Sequence, residues 1–143
     1  MWLFDEITTG DTHAFGSAKL TTDDIEIFHD RFAPHLPREP RAQDLSERGR
    51  PAAQAHIYAL WARMLFEETD PWPIFARLGQ DAIRHYKSAY AGDELTVRLT
   101  LMTKDEVGHD RGIIVTQHDV LNQDGELVMS LLTRTVLGKR AAL

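Results

Sequence analysis

The chain contains no cysteine, so disulfide frameworks, cysteine nucleophiles and thiolate metal sites are excluded. No apolar run approaches the roughly 20 residues that span a bilayer, so no membrane helix is expected. Basic residues are outnumbered: 16 Lys and Arg against 22 Asp and Glu leave a net charge of −6. That balance provides no electrostatic footprint for nucleic acid, and the short basic stretch Lys139-Arg140 does not supply one. There is no glycine-rich phosphate loop and no serine in a nucleophile elbow. The histidines stand at positions 13, 29, 35, 56, 85, 109 and 118, and no two of them flank a carboxylate at helical spacing, so no metal signature is present. Internal repeats and low-complexity tracts are also missing. Met1-Trp2-Leu3-Phe4 runs directly into Asp5 and Glu6, which is not the basic-then-apolar pattern of a secretory signal. A cytoplasmic location is the expectation.

What is present is enough for one core. With 143 residues, 43% of them hydrophobic, the chain has the size of a single domain spanning 1–143. Thr21-Thr22-Asp23-Asp24 reads as a helix start, with hydroxyls to cap and acids facing the positive end of the dipole. Ile25, Phe28 and Phe32 then recur at helical spacing and pin this helix to a core, and Pro34 ends it. Residues 34–50 carry Pro34, Pro37 and Pro40 among many charges and read as irregular. From Pro51 to Phe66 the chain has strong helix formers, a proline at the tolerated first position and almost no polar face. A helix apolar all round is a buried one, so something large and flat must cover it.

The second half supplies the cover. Residues 82–90, 94–103, 112–121 and 126–137 read as four strands. Leu95, Val97, Leu99 and Leu101 alternate with Thr96, Arg98 and Thr100, the period of a half-buried strand. Gly92-Asp93 and Asn122-Gln123-Asp124-Gly125 read as hairpin turns, so the strands form an antiparallel meander. Residues 11–20 are a candidate edge strand. The fold class is therefore α+β, an antiparallel sheet wrapped around a long central helix, which is the hot-dog arrangement. Among the histidines, His13, His29, His109 and His118 read as exposed, and His85 as solvated on a strand. His56 differs, because it lies in the first turns of the buried helix. It is either a hydrogen-bonded core histidine or a catalytic one.

Several segments, in order, carry a resemblance. Met1 to Leu20, Thr22-Asp23-Asp24-Ile25-Glu26-Ile27-Phe28, and His56 to Leu65 are similar to the opening, first helix and central helix of MaoC-like acyl dehydratases. Ala91 to Val97 and Asp119 to Val128 resemble that family's two best-marked strand starts. The family includes the (R)-specific enoyl-CoA hydratases. The resemblance implies hydration or dehydration of a double bond conjugated to a thioester, with an acyl-CoA-type molecule as substrate or ligand, no separate cofactor and no metal.

It also implies an aspartate and a histidine five residues later, in the loop after the first helix. Anchored on Phe32 and Pro34, those positions are held here by Ala33 and Arg38. Alanine transfers no proton, and arginine stays protonated. A second register, Asp30 with His35, restores the five-residue separation. By the same resemblance the thioester carbonyl meets the start of the central helix, here Ala53-Gln54-Ala55-His56. Three readings follow: a hydratase using Asp30 and His35 or His56 with Arg38; a non-catalytic thioester-binding or partner subunit; and, least supported, a thioesterase. The last needs a carboxylate on or near the central helix, and none occurs from Pro51 to Phe66. A homodimer is expected from the resemblance, with a heteromer as the variant.

Overall fold

The structure, a computed structural model, describes residues 1–34 and 48–143. Five strands form one antiparallel sheet: β1 (Thr12–Lys19), β2 (Ile74–His85), β3 (Glu94–Glu106), β4 (Arg111–Leu121) and β5 (Leu127–Gly138). Their spatial order is β1-β3-β4-β5-β2. Between β1 and β2 the described residues form two α-helices, α1 (Thr22–Phe32) and α2 (Gln54–Thr69). No helix among the described residues is long and apolar enough to cross a membrane. The expected sheet lying along a long helix is present, and residues 12–19 do form an edge strand.

Local chemistry accounts for most of the elements. Thr21 is the cap of α1, its hydroxyl accepting from the Asp24 amide at 3.1 Å. Leu95, Val97, Leu99 and Leu101 all point inward from β3, each no more than 3% exposed. The β4–β5 turn closes on Asn122, whose side-chain oxygen accepts from the amides of Asp124 and Glu126, with Gly125 at φ 75°.

Three expectations are corrected. The strand expected at 82–90 runs instead over Ile74–His85, and it pairs with β5 rather than β3. Gly92-Asp93 is therefore a turn but not a hairpin. The connection 86–93 crosses the end of the sheet, tied down by Ala52 N–H to Ala89 O and Gly92 N–H to Leu20 O, both 2.8 Å. The physical reason is irregularity: the register of β2 slips at three places, and Ala82 takes a positive φ of 53°. Bulges erase the period of two by which a strand is recognised.

The central helix is also less enclosed than its composition implies. It starts at Gln54, after an extended Pro51–Ala53, and buries Ile57, Trp61, Met64 and Leu65 on the sheet. Ala55, Ala59, Arg63 and Phe66 lie on the opposite, exposed side. On α1, Ile25 and His29 are the buried positions, whereas Phe32 is 67% exposed and pins nothing.

The third correction concerns histidines. His109 is exposed as expected, but His13 is half-buried against Glu68 at 2.7 Å. His29 is buried, and His118 is only 1% exposed. Ile114, Thr116, His118 and Val120 alternate inward along β4, so the strand period itself places His118 in the core. There its Nδ1 accepts from the Trp61 indole N–H at 2.9 Å. Its Nε2 meets the hydroxyls of Thr116 at 2.9 Å and Thr133 at 3.0 Å. Burial pushes its pKa down to about 3, so the ring is neutral.

Replacing His118 by Leu orphans the Trp61 donor and should lower unfolding stability by about 2 kcal/mol, read from the denaturant midpoint. The pH dependence has a definite sign. The folded-state pKa lies below the ordinary 6.5, so the neutral ring's contribution is intact above pH 6.5. It is lost as pH falls from there towards 3, by up to about 1.4 kcal/mol per pH unit. In His118→Leu that part of the acid sensitivity should vanish.

Candidate active site at the start of the central helix

The two helices begin differently. Where α1 has a capping threonine, α2 has Ala53, extended at φ −61° and ψ 148°, with no side-chain cap. Ala53 O accepts from the amides of His56 at 3.0 Å and Ile57 at 3.2 Å. Nothing among the described residues accepts from the amides of Gln54 and Ala55. No acidic side chain occupies the first turn of α2. The positive end of the helix therefore presents two bare donors, a disposition suited to an anionic or polarised oxygen.

His56 stands in that same turn and is 7% exposed. Its ring stacks on Phe28 of α1, with centroids 4.8 Å apart and planes 3° from parallel. Burial lowers its pKa, Asp24 of α1 raises it, and His29 lowers it further, with a net shift below 6.5. The ring is thus neutral at pH 7, with one N–H and one lone pair. Its buried Nδ1 has no hydrogen-bond partner.

His29 reaches the same place from α1. Its Nε2 lies 3.4 Å from Pro51 O, and its Nδ1 is buried without a partner. The sequence held a signal for it: His29 is one helical turn beyond Ile25, on the buried face.

The other sequence candidates are distributed differently. Asp30 sits on the exposed side of α1. Ala33 is the buried C-cap residue, its amide donating to His29 O at 3.0 Å. His35 and Arg38 lie outside the described residues, so neither the Asp30–His35 pair nor the His56–Arg38 pair is placed by the structure. Gln54, Ala55 and His56 form the first turn of α2, with Ala53 as the residue before it.

Beside the start of α2 is a small open cleft lined by Gln54, Ile57, His85, Lys87 and Ser88 among others. Burial lowers the His85 pKa. Lys87 is paired with Glu126 at 2.5 Å. Among the described residues, no group of three His, Asp or Glu is placed to hold a metal ion.

No protein-family model matches the sequence, and no curated protein does. Solved structures do match. A MaoC-like dehydratase from Rhodospirillum rubrum is similar at 26% identity over 98% of this chain and 99% of that one, with a TM-score of 0.80. The R-hydratase PhaJ1 from Pseudomonas aeruginosa, unliganded, shares 20% identity over 96% of this chain and 85% of that one, with a TM-score of 0.64. Rv0216 from Mycobacterium tuberculosis, which has a double hot-dog fold, matches at 14% identity and a TM-score of 0.74 over 96% of this chain but 44% of that one.

The chain is therefore a hot-dog domain. The structures it is similar to include MaoC-like dehydratases and (R)-hydratases.

The electrostatics at this site can be checked directly. In an NMR titration the His56 ring should show its midpoint below 6.5, with His118 silent until far more acid pH. A His56 midpoint at or above 6.5 contradicts the burial described here.

Proposed function

We propose that the chain is a hydro-lyase of the enoyl hydratase/dehydratase type, acting on acyl-CoA-type thioesters. The observation that carries this reading is the uncapped start of α2, with the buried, neutral His56 in the same turn. The overall likeness to a MaoC-like dehydratase supports it.

The chemistry follows from charge. Adding water to a double bond conjugated to a thioester drives electrons onto the carbonyl oxygen. The amides of Gln54 and Ala55 would donate to that oxygen, and the helix dipole favours its charge as the enolate forms. Donors aimed at such an oxygen are typically worth about 3 kcal/mol each in barrier height. His56, neutral at working pH, is suited to proton transfer next to the carbonyl. The substrate carries its own activation as a thioester, so no further cofactor is needed.

A partner completes this reading. β2 is an edge strand, and Phe75, Leu78, Ile83 and Tyr86 expose apolar surface along it and just beyond, with Phe66 of α2 close by. An open edge with apolar side chains calls for a second sheet. We infer a homodimer, with a heteromer of two hot-dog chains as the variant. Rv0216, with two such folds in one chain, is consistent with that need.

The second reading, a non-catalytic thioester-binding or partner subunit, is favoured by one observation: buried Ala33 stands where the resemblance puts the aspartate.

Incubation with crotonyl-CoA separates the two. Loss of the enoyl absorbance is expected, and His56→Gln should lower kcat about 100-fold or more. Asp30→Asn, His35→Gln and Arg38→Gln belong in the same series. A rise in melting temperature with the thioester, without turnover at any chain length, supports the binding subunit instead. Leu78→Glu should convert a dimer into a monomer in light scattering; an unchanged monomeric profile for the parent chain contradicts the dimer.

A further inference from the structure

Among the described residues the three buried histidines divide into two kinds. His118 uses both ring nitrogens within the core and is fully engaged. His29 and His56 are each only 7% exposed, yet each keeps a buried Nδ1 without a partner. Buried polar atoms are nearly always satisfied, so two orphans at one helix junction call for an explanation.

The tautomer of His29 can be read from its neighbour. Pro51 O can only accept, so the Nε2 that faces it at 3.4 Å carries the hydrogen. In the neutral ring the lone pair is then on Nδ1, the orphan atom. That is the form of a base. The same contact ties α1 to the residues that lead into α2, and so fixes the imidazole relative to the bare amides of Gln54 and Ala55. His56 is held flat against Phe28, the residue next to His29 on α1, and His29 itself touches Pro51, so both rings stand at the junction of α1 with the start of α2.

We propose that His29 and His56 form a two-imidazole acid–base pair, with His29 Nδ1 as the base that activates water for addition to the α,β-unsaturated thioester. The inference rests on the hydratase reading above. His29 Nδ1 takes one proton from water while the water oxygen bonds to the β-carbon. The double-bond pair moves towards the α-carbon and the carbonyl oxygen, where the two amides receive the charge. His56 donates its N–H to the water oxygen and orients it. The imidazolium of His29 then returns its proton to the α-carbon. Water has been added, both rings end as they began, and dehydration is the reverse. The pair takes over the work that the absent carboxylate at Ala33 leaves undone.

The test uses the full chain with His29→Gln, His56→Gln and the double variant. Glutamine keeps a donor for Pro51 O, and thermal melts verify the fold. With crotonyl-CoA, His29→Gln should lose about 100-fold in kcat with KM within about threefold. The double variant should be scarcely worse than either single one, because paired groups act as a unit. Activity close to parental in His29→Gln overturns the proposal. So does a loss of turnover that Asp30→Asn produces and His29→Gln does not.

An NMR readout separates this idea from the hydratase reading. Asp24 and His29 are the charged or titrating groups that act on His56 among the described residues, with opposite sign. Removing His29 should therefore raise the His56 midpoint. An unchanged midpoint overturns the pair even where turnover is present. A folded parent chain without turnover on any enoyl thioester overturns the hydratase reading, whatever the titration shows.

Discussion

The seating of α2 on the sheet is the contact from which the rest follows. Ile57, Trp61, Met64 and Leu65 drive the helix onto β1 and β3 by apolar burial, which has no direction of its own. Direction comes from one hydrogen bond, Trp61 Nε1–H to His118 Nδ1 at 2.9 Å. A buried indole donor tolerates no slip along or around the helix axis, because slipping leaves it and the His118–Thr116–Thr133 cluster unsatisfied. That bond lies less than two turns from the first residue of α2. It consequently fixes where the amides of Gln54 and Ala55 point.

The ends of the two helices then take opposite electrostatic roles. α1 neutralises its own start with Thr21, Asp23 and Asp24. α2 leaves its start bare, at a local cost of about 1 kcal/mol for an alanine cap. The crossing segment 86–93 satisfies Ala52, just before the helix, but not the amides after it. A structural helix start gains by being capped. One that is anchored on both sides and left uncapped keeps its first amides available to an outside acceptor, which is what the proposed function uses.

Legibility in the sequence tracked regularity. The α1 cap, the alternation of β3 and the Asn122 turn follow from short-range chemistry and were readable. β2 was not, because three register slips and the positive φ of Ala82 break its period, and its partner is more than 40 residues away. The long helix was readable from its composition, although it starts at Gln54 rather than Pro51, and the resemblance drew attention to Ala33 and Arg38 rather than to His29. His29 and His118 were both recoverable from periodicity, one a turn after Ile25 and the other in step with Ile114 and Val120. Reading them as isolated polar residues rather than as positions on a buried face is what hid them. His35 and Arg38 belong to a stretch rich in proline and charge, and lie outside the described residues.

The distribution of charge around α2 also weighs on which reaction the fold supports. A thioesterase that activates water with a carboxylate needs that carboxylate close to the carbonyl carbon. The acids of α2 are Glu67 and Glu68, at its far end. Glu67 pairs with Arg63 at 2.9 Å and Glu68 with His13 at 2.7 Å. Neither is near the bare amides, since twelve residues of helix separate them by about 18 Å. What stands beside those amides is the buried imidazole of His56, its pKa lowered by burial. Imidazole in that state moves a proton to and from carbon or water without placing a competing negative charge near a developing enolate. A buried carboxylate there would have to be protonated or paired to be tolerated. The His56 ring, its pKa lowered by burial, meets the same requirement with no counter-charge, which is compatible with the chemistry proposed at this helix start.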